Sequence, residues 1–470
     1  MKLDRAPSLS GLKPQLERVL ELAAKKVAGL DRSWDPGKGT PVFTVEGKYT
    51  TRGWTEWTQG FQYGMAVLEF DATREKRFLE LGRERIIERM APHVSHIGVH
   101  DHGFNNVSTY GNLRRLMREG VIAHNPRELD FYELALKVSG AVQAARWTAI
   151  PSDAAAAPTN RDTGYIYSFN GPHSLFSDTI RSVRALMLSW QLGHCLMGEN
   201  DRAINLLHRG LHHGLSTAKY NVYYGAGRDT WDTPAESGRV VHESIFNTVD
   251  GRYRCASTQQ GYSPFSTWTR GLAWVLCGYA EELEFLGTVS EADLKGFALG
   301  NKKSIVAAFL KAATASADWY LAHSFADGMV YWDAGAAALP RPVDYSAPSD
   351  PYNDHEPIDS SAAAISAHGF YRLSKYLAKS DPARARKYEQ AALVIAQTLF
   401  AEPYLSTDAK HQGLILHSIY HRPNGWDFVP QGAKIPCGES SMWGDYHALD
   451  LANLLYRAAT KRPYITFFDR

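Results

Sequence analysis

Apolar residues recur at three- and four-residue spacing in six stretches: 19–27 (VLELAAKKV), 76–90 (KRFLELGRERIIERM), 131–147 (FYELALKVSGAVQAARW), 201–215 (DRAINLLHRGLHHGL), 304–322 (SIVAAFLKAATASADWYLA) and 385–400 (ARKYEQAALVIAQTLF). That rhythm gathers the apolar side chains on one face, so each stretch predicts an amphipathic helix with one solvated side. Long period-two alternation, the mark of a half-buried strand, is nearly absent. Between these helices lies a second kind of segment, with aromatic, glycine and small polar residues at its start and an apolar run behind them. There are six: WTEWTQGFQYGMAVLEF from Trp54, HDHGFNNVSTYGNLRRLM from His100, LFSDTIRSVRALMLSWQL from Leu175, STWTRGLAWVLCGYAEEL from Ser266, IDSSAAAISAHGFYRLSKYL from Ile358 and SSMWGDYHALDLANLLYRA from Ser440.

The starts of these segments are about 46, 75, 91, 92 and 82 residues apart, a loose period that fits one helical hairpin plus a variable loop per unit. Six hairpins predict an all-α fold, an (α/α)6 barrel spanning residues 1–470 as a single domain, with residues 1–50 as an N-terminal helix and lead-in. In such a ring the inner helices aim their polar, aromatic starts at one mouth. The competing reading is a generic helical array whose Ser, Thr and Asp starts are only N-caps. Residues 149–162, 223–239 and 334–357 are rich in turn-forming and small residues and read as long loops, with 223–239 placed over the mouth.

Composition narrows the function. Fifty-one Lys and Arg against fifty Asp and Glu give a net charge of +1, without the one-signed field that nucleic acid or an anionic membrane favours. No apolar run reaches membrane-spanning length and the start lacks a signal-peptide core, so the chain as given reads as cytoplasmic, or periplasmic if a leader was removed. The four cysteines are widely spaced and read mostly as reduced core residues. The aromatic share, 12% with 12 Trp and 24 Tyr, suits either a large core or sugar stacking.

No serine-hydrolase elbow, phosphate-binding loop, zinc HExxH or dinucleotide fingerprint is present. HVSHIGVHDH holds His93, His96, His100 and His102 within ten residues, which suits either a metal or a polar loop of mutually oriented imidazoles. Asp101 lies inside that cluster and Asp178 starts the third inner segment. Each alone suits a cap or a surface acid, but together at one mouth they suit a pair in which a carboxyl of raised proton affinity acts as general acid. Trp57, Trp268 and Trp274 suit stacking on a sugar ring or core packing. Arg270, in WTRG, needs an anion: a structural Asp or a ligand carboxylate or sulfate.

At these residues the chain resembles glycoside hydrolase family 88, the unsaturated glucuronyl hydrolases, related to family 105. WTQGFQYGM, HDHGF, SDTIRS, STWTRGLAW, DSSAAAI and WGDYHAL are similar to the family's motifs in the family's order, over nearly the whole chain. The resemblance implies an (α/α)6 barrel and a hydrolase that removes a non-reducing-terminal 4,5-unsaturated uronic acid from lyase-generated oligosaccharides. It implies Asp178 as general acid and base and Asp101 as the second essential carboxylate. His242, Gln260, Trp57 and Trp274 match substrate-side residues, with His100 and Arg270 placed beside them. The implied chemistry hydrates a vinyl ether: Asp178 protonates C4 while helping deprotonate a water that adds at C5, and it needs no metal or cofactor. Gln259 replaces the family's usual His, and residues 223–239 look inserted. An unsaturated rhamnogalacturonyl hydrolase, a saturated β-glucuronidase or a non-catalytic carbohydrate-binding relative are the alternatives.

Overall fold

The computed structural model describes residues 1–53, 56–151 and 163–468. Trp54, which opens the first aromatic segment, and most of the 149–162 loop lie outside the described residues. Twelve principal helical segments alternate along the chain between two concentric layers. The outer layer holds Leu9–Ser33, Lys76–Arg89, Pro126–Ala145, Leu206–Tyr220, Lys302–Ala322 and Pro382–Leu399. The inner layer holds Gln59–Thr73; a π-helical Gly103–Gly111 running into Asn112–Arg118; Thr179–Ser182 with Arg184–Gln191; Thr269–Leu286; Ser360–Leu377; and Met442–Ala459. Each inner helix packs on the next, and the sixth packs back on the first, so the ring closes as an all-α (α/α)6 barrel. Strands among the described residues are two to five residues long and lie in the loops between helices.

Sequence accounts for the two layers. The inner helices are enclosed all round: Thr269–Leu286 and Ser360–Leu377 are buried along almost their full length, and charged residues on them find partners inside, as Arg372 does in Glu284. Outer helices carry one apolar stripe and start at polar caps: Asn125 Oδ1 accepts from the Glu128 N–H, Asp381 Oδ1 from that of Arg384, and Asn301 forms a reciprocal box with Ser304. At the end of the ring away from the acid-bearing pocket, buried Asp71 on the first inner helix pairs with Arg115 of the second at 2.8 Å and with Arg457 of the sixth. That carboxylate joins three staves where the ring closes, and the two guanidinium charges hold its pKa below the usual carboxylate range against the effect of burial. The four cysteines are free, but only Cys277 is in the core and Cys255 is exposed, which corrects the expectation that most are core residues.

Candidate active site

The two acids meet because two inner helices meet without side chains between them. A Cβ on Gly103 would lie 2.1 Å from the Ser182 carbonyl oxygen, so only glycine permits this approach of the second helix to the third. Ser182 Oγ accepts the Gly103 N–H and donates to the His100 carbonyl at 2.6 Å, and Gln143 Nε2 donates to the same carbonyl at 2.6 Å. The His100–Asp101 turn is thereby pinned to the start of the third inner helix, where Asp178 sits. His100 Nε2 lies 3.3 Å from Asp178 Oδ1 and 3.7 Å from Asp101 Oδ1. Asp178 occupies an N-cap position but its carboxylate caps no backbone N–H, which removes the structural role that its sequence position also allowed.

Burial raises the Asp101 pKa above the usual carboxylate range, with the neighbouring Asp178 charge adding to it and His100 opposing it. Burial pushes Asp178 the same way, but the hydrogen bond and charge of His100, with His242 and Arg270, outweigh it and leave its pKa lowered. His100 is itself raised, because the two carboxylates outweigh the burial of its ring. Of the two acids, Asp101 is therefore the one of raised proton affinity. Asp178 is thus held toward its carboxylate form, hydrogen-bonded to a His100 that is held toward its protonated form, while burial holds Asp101 toward its neutral form.

Around these groups lies a cavity of about 300 Å³ whose lining includes His100, Asp101, Asp178, Trp57, Gln260, Arg270 and Trp274. Trp57 stacks on Trp443, centroids 5.1 Å apart, and Trp274 packs by its edge on His447. His242 stands behind this wall at the edge of a three-stranded sheet, Ser174–Phe176, Glu243–Phe246 and Tyr253–Ser257. Its Nδ1 accepts the backbone N–H of Gln259 at 3.0 Å and of Gln260 at 3.3 Å, so it shapes the turn that presents both amides. Those bonds place the ring proton on Nε2, and burial lowers the His242 pKa to about 4. Gln259 Nε2 in turn donates to Asn170 Oδ1 at 2.6 Å.

Arg270 finds its anion within the protein. Nη1 lies 3.3 Å from Asp359 and also donates to the Ile419 carbonyl; Nη2 donates to the Tyr420 carbonyl at 2.8 Å and to Gln260 Oε1 at 2.7 Å. Its guanidinium lies between the rings of Trp268 and Trp443, 4.6 and 4.8 Å from their centroids. Of the two anions open to it from sequence, a structural Asp is met here. The arginine lends charge to the cavity, while its hydrogen bonds hold the wall.

Tyr420, His421, Asn424 and Trp426 complete that wall from an irregular loop that sequence reasoning passed over. Asp427 accepts the backbone N–H groups of Tyr420 and His421, fixing the loop. The available signal was HRPNGWDF, an aromatic turn just before the last inner segment. Phe104 and Phe169 also line the cavity unforeseen. Residues 223–239 do not cover this mouth: Trp231 stacks on Phe265 at 4.6 Å, beside a different cavity. The histidine cluster disperses, with His93 on Gln59 at 2.7 Å, His102 on Ser139 at 2.9 Å and His100 on Asp178. Among the described residues no three His, Cys, Asp or Glu side chains converge as metal ligands.

No family model matches the chain. An unsaturated glucuronyl hydrolase of Bacillus sp. (strain GL1) is 30% identical over 220 residues, 47% of each chain. Over that stretch the chain is similar to the unsaturated glucuronyl hydrolases. In that comparison it spans about half the length of the relative it matches. An unsaturated chondroitin disaccharide hydrolase of Streptococcus agalactiae serotype III is 21% identical over 95% of this chain and 92% of its own. The crystal structure of the Bacillus sp. GL1 family member superposes with a TM-score of 0.68 at 21% identity, covering 95% of this chain and 98% of that one, which shows the same fold.

Proposed function

We propose that the protein is a hydrolase that removes a 4,5-unsaturated uronic acid from the non-reducing end of short oligosaccharides. The observation that carries this reading is the set Asp101, His100 and Asp178, with His100 hydrogen-bonded to Asp178 and 3.7 Å from Asp101, beside an aromatic-walled cavity. The activities named for the Bacillus and Streptococcus relatives support it. Hydration of a vinyl ether needs a proton for C4 and a base for the water that attacks C5, and one carboxyl that alternates between states supplies both.

In the free site the proton sits on His100, 3.3 Å from the Asp178 carboxylate. Entry of a uronate brings a negative charge that raises the proton affinity of Asp178, and the proton passes from His100 to Asp178. Asp178 delivers it to C4; a water adds to the cation left at C5 and returns a proton to Asp178. The hemiketal formed at C5 opens to a ketone, and the hemiacetal this leaves at C1 breaks down to an aldehyde and the free aglycone. Asp101 keeps negative charge beside His100, and the Gln260 amide and the Trp57 and Trp274 faces orient the ring. Incubation with unsaturated disaccharides made by lyases from pectin, ulvan and glycosaminoglycans tests the reading. Loss of the ultraviolet absorbance of the conjugated double bond is expected with at least one of them and not with Asp178→Asn; full activity of Asp178→Asn refutes the mechanism.

A further inference from the structure

The segment 258–268 borders two cavities. Gln259, Gln260 and Trp268 face the acid-bearing pocket, whereas Tyr262, Phe265 and Thr267 face a second cavity of about 420 Å³. Arg239 lines this second space and is 2% exposed, yet Nε, Nη1 and Nη2 all lack a hydrogen-bond partner among the described residues. Other buried arginines are treated differently: Arg115, Arg181, Arg270, Arg372 and Arg457 each meet a carboxylate. The indole N–H of Trp319 and the hydroxyl of Thr267, at 4% and 1% exposure, line the same cavity and are also without partners.

A buried guanidinium without an acceptor is costly, and two further unmet donors beside it make the mismatch specific: all three groups donate and none has an acceptor. The Tyr223 ring centroid lies 3.9 Å from the Arg239 guanidinium and 3.7 Å from that of Arg228, which adds positive charge. Glu236 lines the cavity but forms no ion pair with Arg239, and Arg341 stands exposed at its edge. The stacked rings of Trp231 and Phe265 are about half exposed, at 48% and 47%, as is Tyr262 at 50%, so flat apolar faces adjoin the unmet donors.

We propose that this cavity is a second binding site, taking an oxyanion carried on a sugar ring, with Arg239, Trp319 and Thr267 holding the oxyanion and Trp231 and Phe265 the ring. The oxyanion follows from the donors alone; its being a uronate carboxylate or a sulfate ester on a sugar rests on the function proposed above. Calorimetric titration with D-glucuronate, inorganic sulfate and D-glucose at constant ionic strength tests it. Saturable glucuronate binding is expected, weakened about 10- to 100-fold in Arg239→Gln, the loss of a charge-assisted hydrogen bond. Trp319→Phe keeps the ring, drops the N–H and is expected to weaken binding several-fold, so the result does not depend on one variant folding. Glucose is expected not to bind there, and Trp231→Ala to weaken glucuronate while sparing sulfate. Binding unchanged in both Arg239→Gln and Trp319→Phe, or absent in wild type, overturns the site. Sulfate binding as tightly as glucuronate and indifference to Trp231→Ala leave an inorganic-anion site and overturn the sugar. Arg239-dependent binding in a protein that turns over no unsaturated disaccharide keeps this site and rejects the proposed function instead.

Discussion

Replacing Arg270 by lysine separates a structural arginine from a ligand-binding one. Lysine keeps the cation near Asp359 and between the Trp268 and Trp443 rings but cannot reproduce the fork. The Nη2 bonds to the Tyr420 carbonyl at 2.8 Å and Gln260 Oε1 at 2.7 Å go unmade. Hydrogen bonds from a charged donor contribute about 1.5–3 kcal/mol each, so two buried ones make a loss of about 3–6 kcal/mol. With an unfolding entropy of about 2.1 cal/mol/K per residue, a chain of 470 residues has roughly 1 kcal/mol/K in total, and Tm falls by about 3–6 °C. Differential scanning calorimetry measures this directly. Because Gln260 and the 420–426 wall loosen together, KM is expected to rise by a similar factor for an unsaturated disaccharide and for the same disaccharide with its carboxylate amidated. An unchanged Tm, with discrimination between acid and amide lost, refutes the reasoning and returns Arg270 to the ligand.

Asp71→Asn leaves Arg115 and Arg457 with only Glu119 between them and is expected to cost about 3–5 kcal/mol in denaturant titration at neutral pH. Because the folded pKa of Asp71 is depressed, its contribution is present above the unfolded value and lost as pH falls through the folded one, so wild type and variant converge only in strong acid. Glu69 is fully buried, neither oxygen has a partner, and burial raises its pKa to about 8. Its neutral form favours the fold fully below the unfolded pKa, and that advantage is lost as pH rises to about 8, so Glu69→Gln is expected to become progressively more stable than wild type over that window. Parallel denaturant curves at both ends of the window, with no growing gap, contradict this. Asp101→Asn removes a carboxylate 3.7 Å from His100 and is expected to lower the His100 titration midpoint, read by NMR of the imidazole ring; an unmoved midpoint contradicts the assigned charge coupling.

The ring was legible because its inner helices cannot be amphipathic. A helix such as Thr269–Leu286, enclosed on all sides, is apolar or small over the run from Gly271 to Ala280, and its polar aromatic start stands out against that run. The places of Asp101 and Asp178 were legible for the same reason, since each belongs to such a start. Their relative proton affinities were not. They depend on which carboxylate is hydrogen-bonded to His100, and that follows from the contact of Gly103 with Ser182, a feature of three dimensions. The aromatic wall at Tyr420 and Trp426 escaped because its loop has no periodicity, being shaped by the Asp427 carboxylate rather than by hydrophobic pattern. Residues 223–239 were seen as a loop, but nothing in their composition told which cavity they border. Arg270 showed its need for an anion plainly, whereas Asp359 became its partner only through the packing of the fourth inner helix on the fifth.

The central claim is that the Asp101, His100 and Asp178 set protonates a vinyl ether. Its most direct test is aglycone release from two disaccharides that differ only in the C4–C5 double bond of the terminal uronic acid. Release is expected from the unsaturated one, in step with the fall in ultraviolet absorbance, and none from the saturated one. Equal release from both, or release only from the saturated compound, contradicts it.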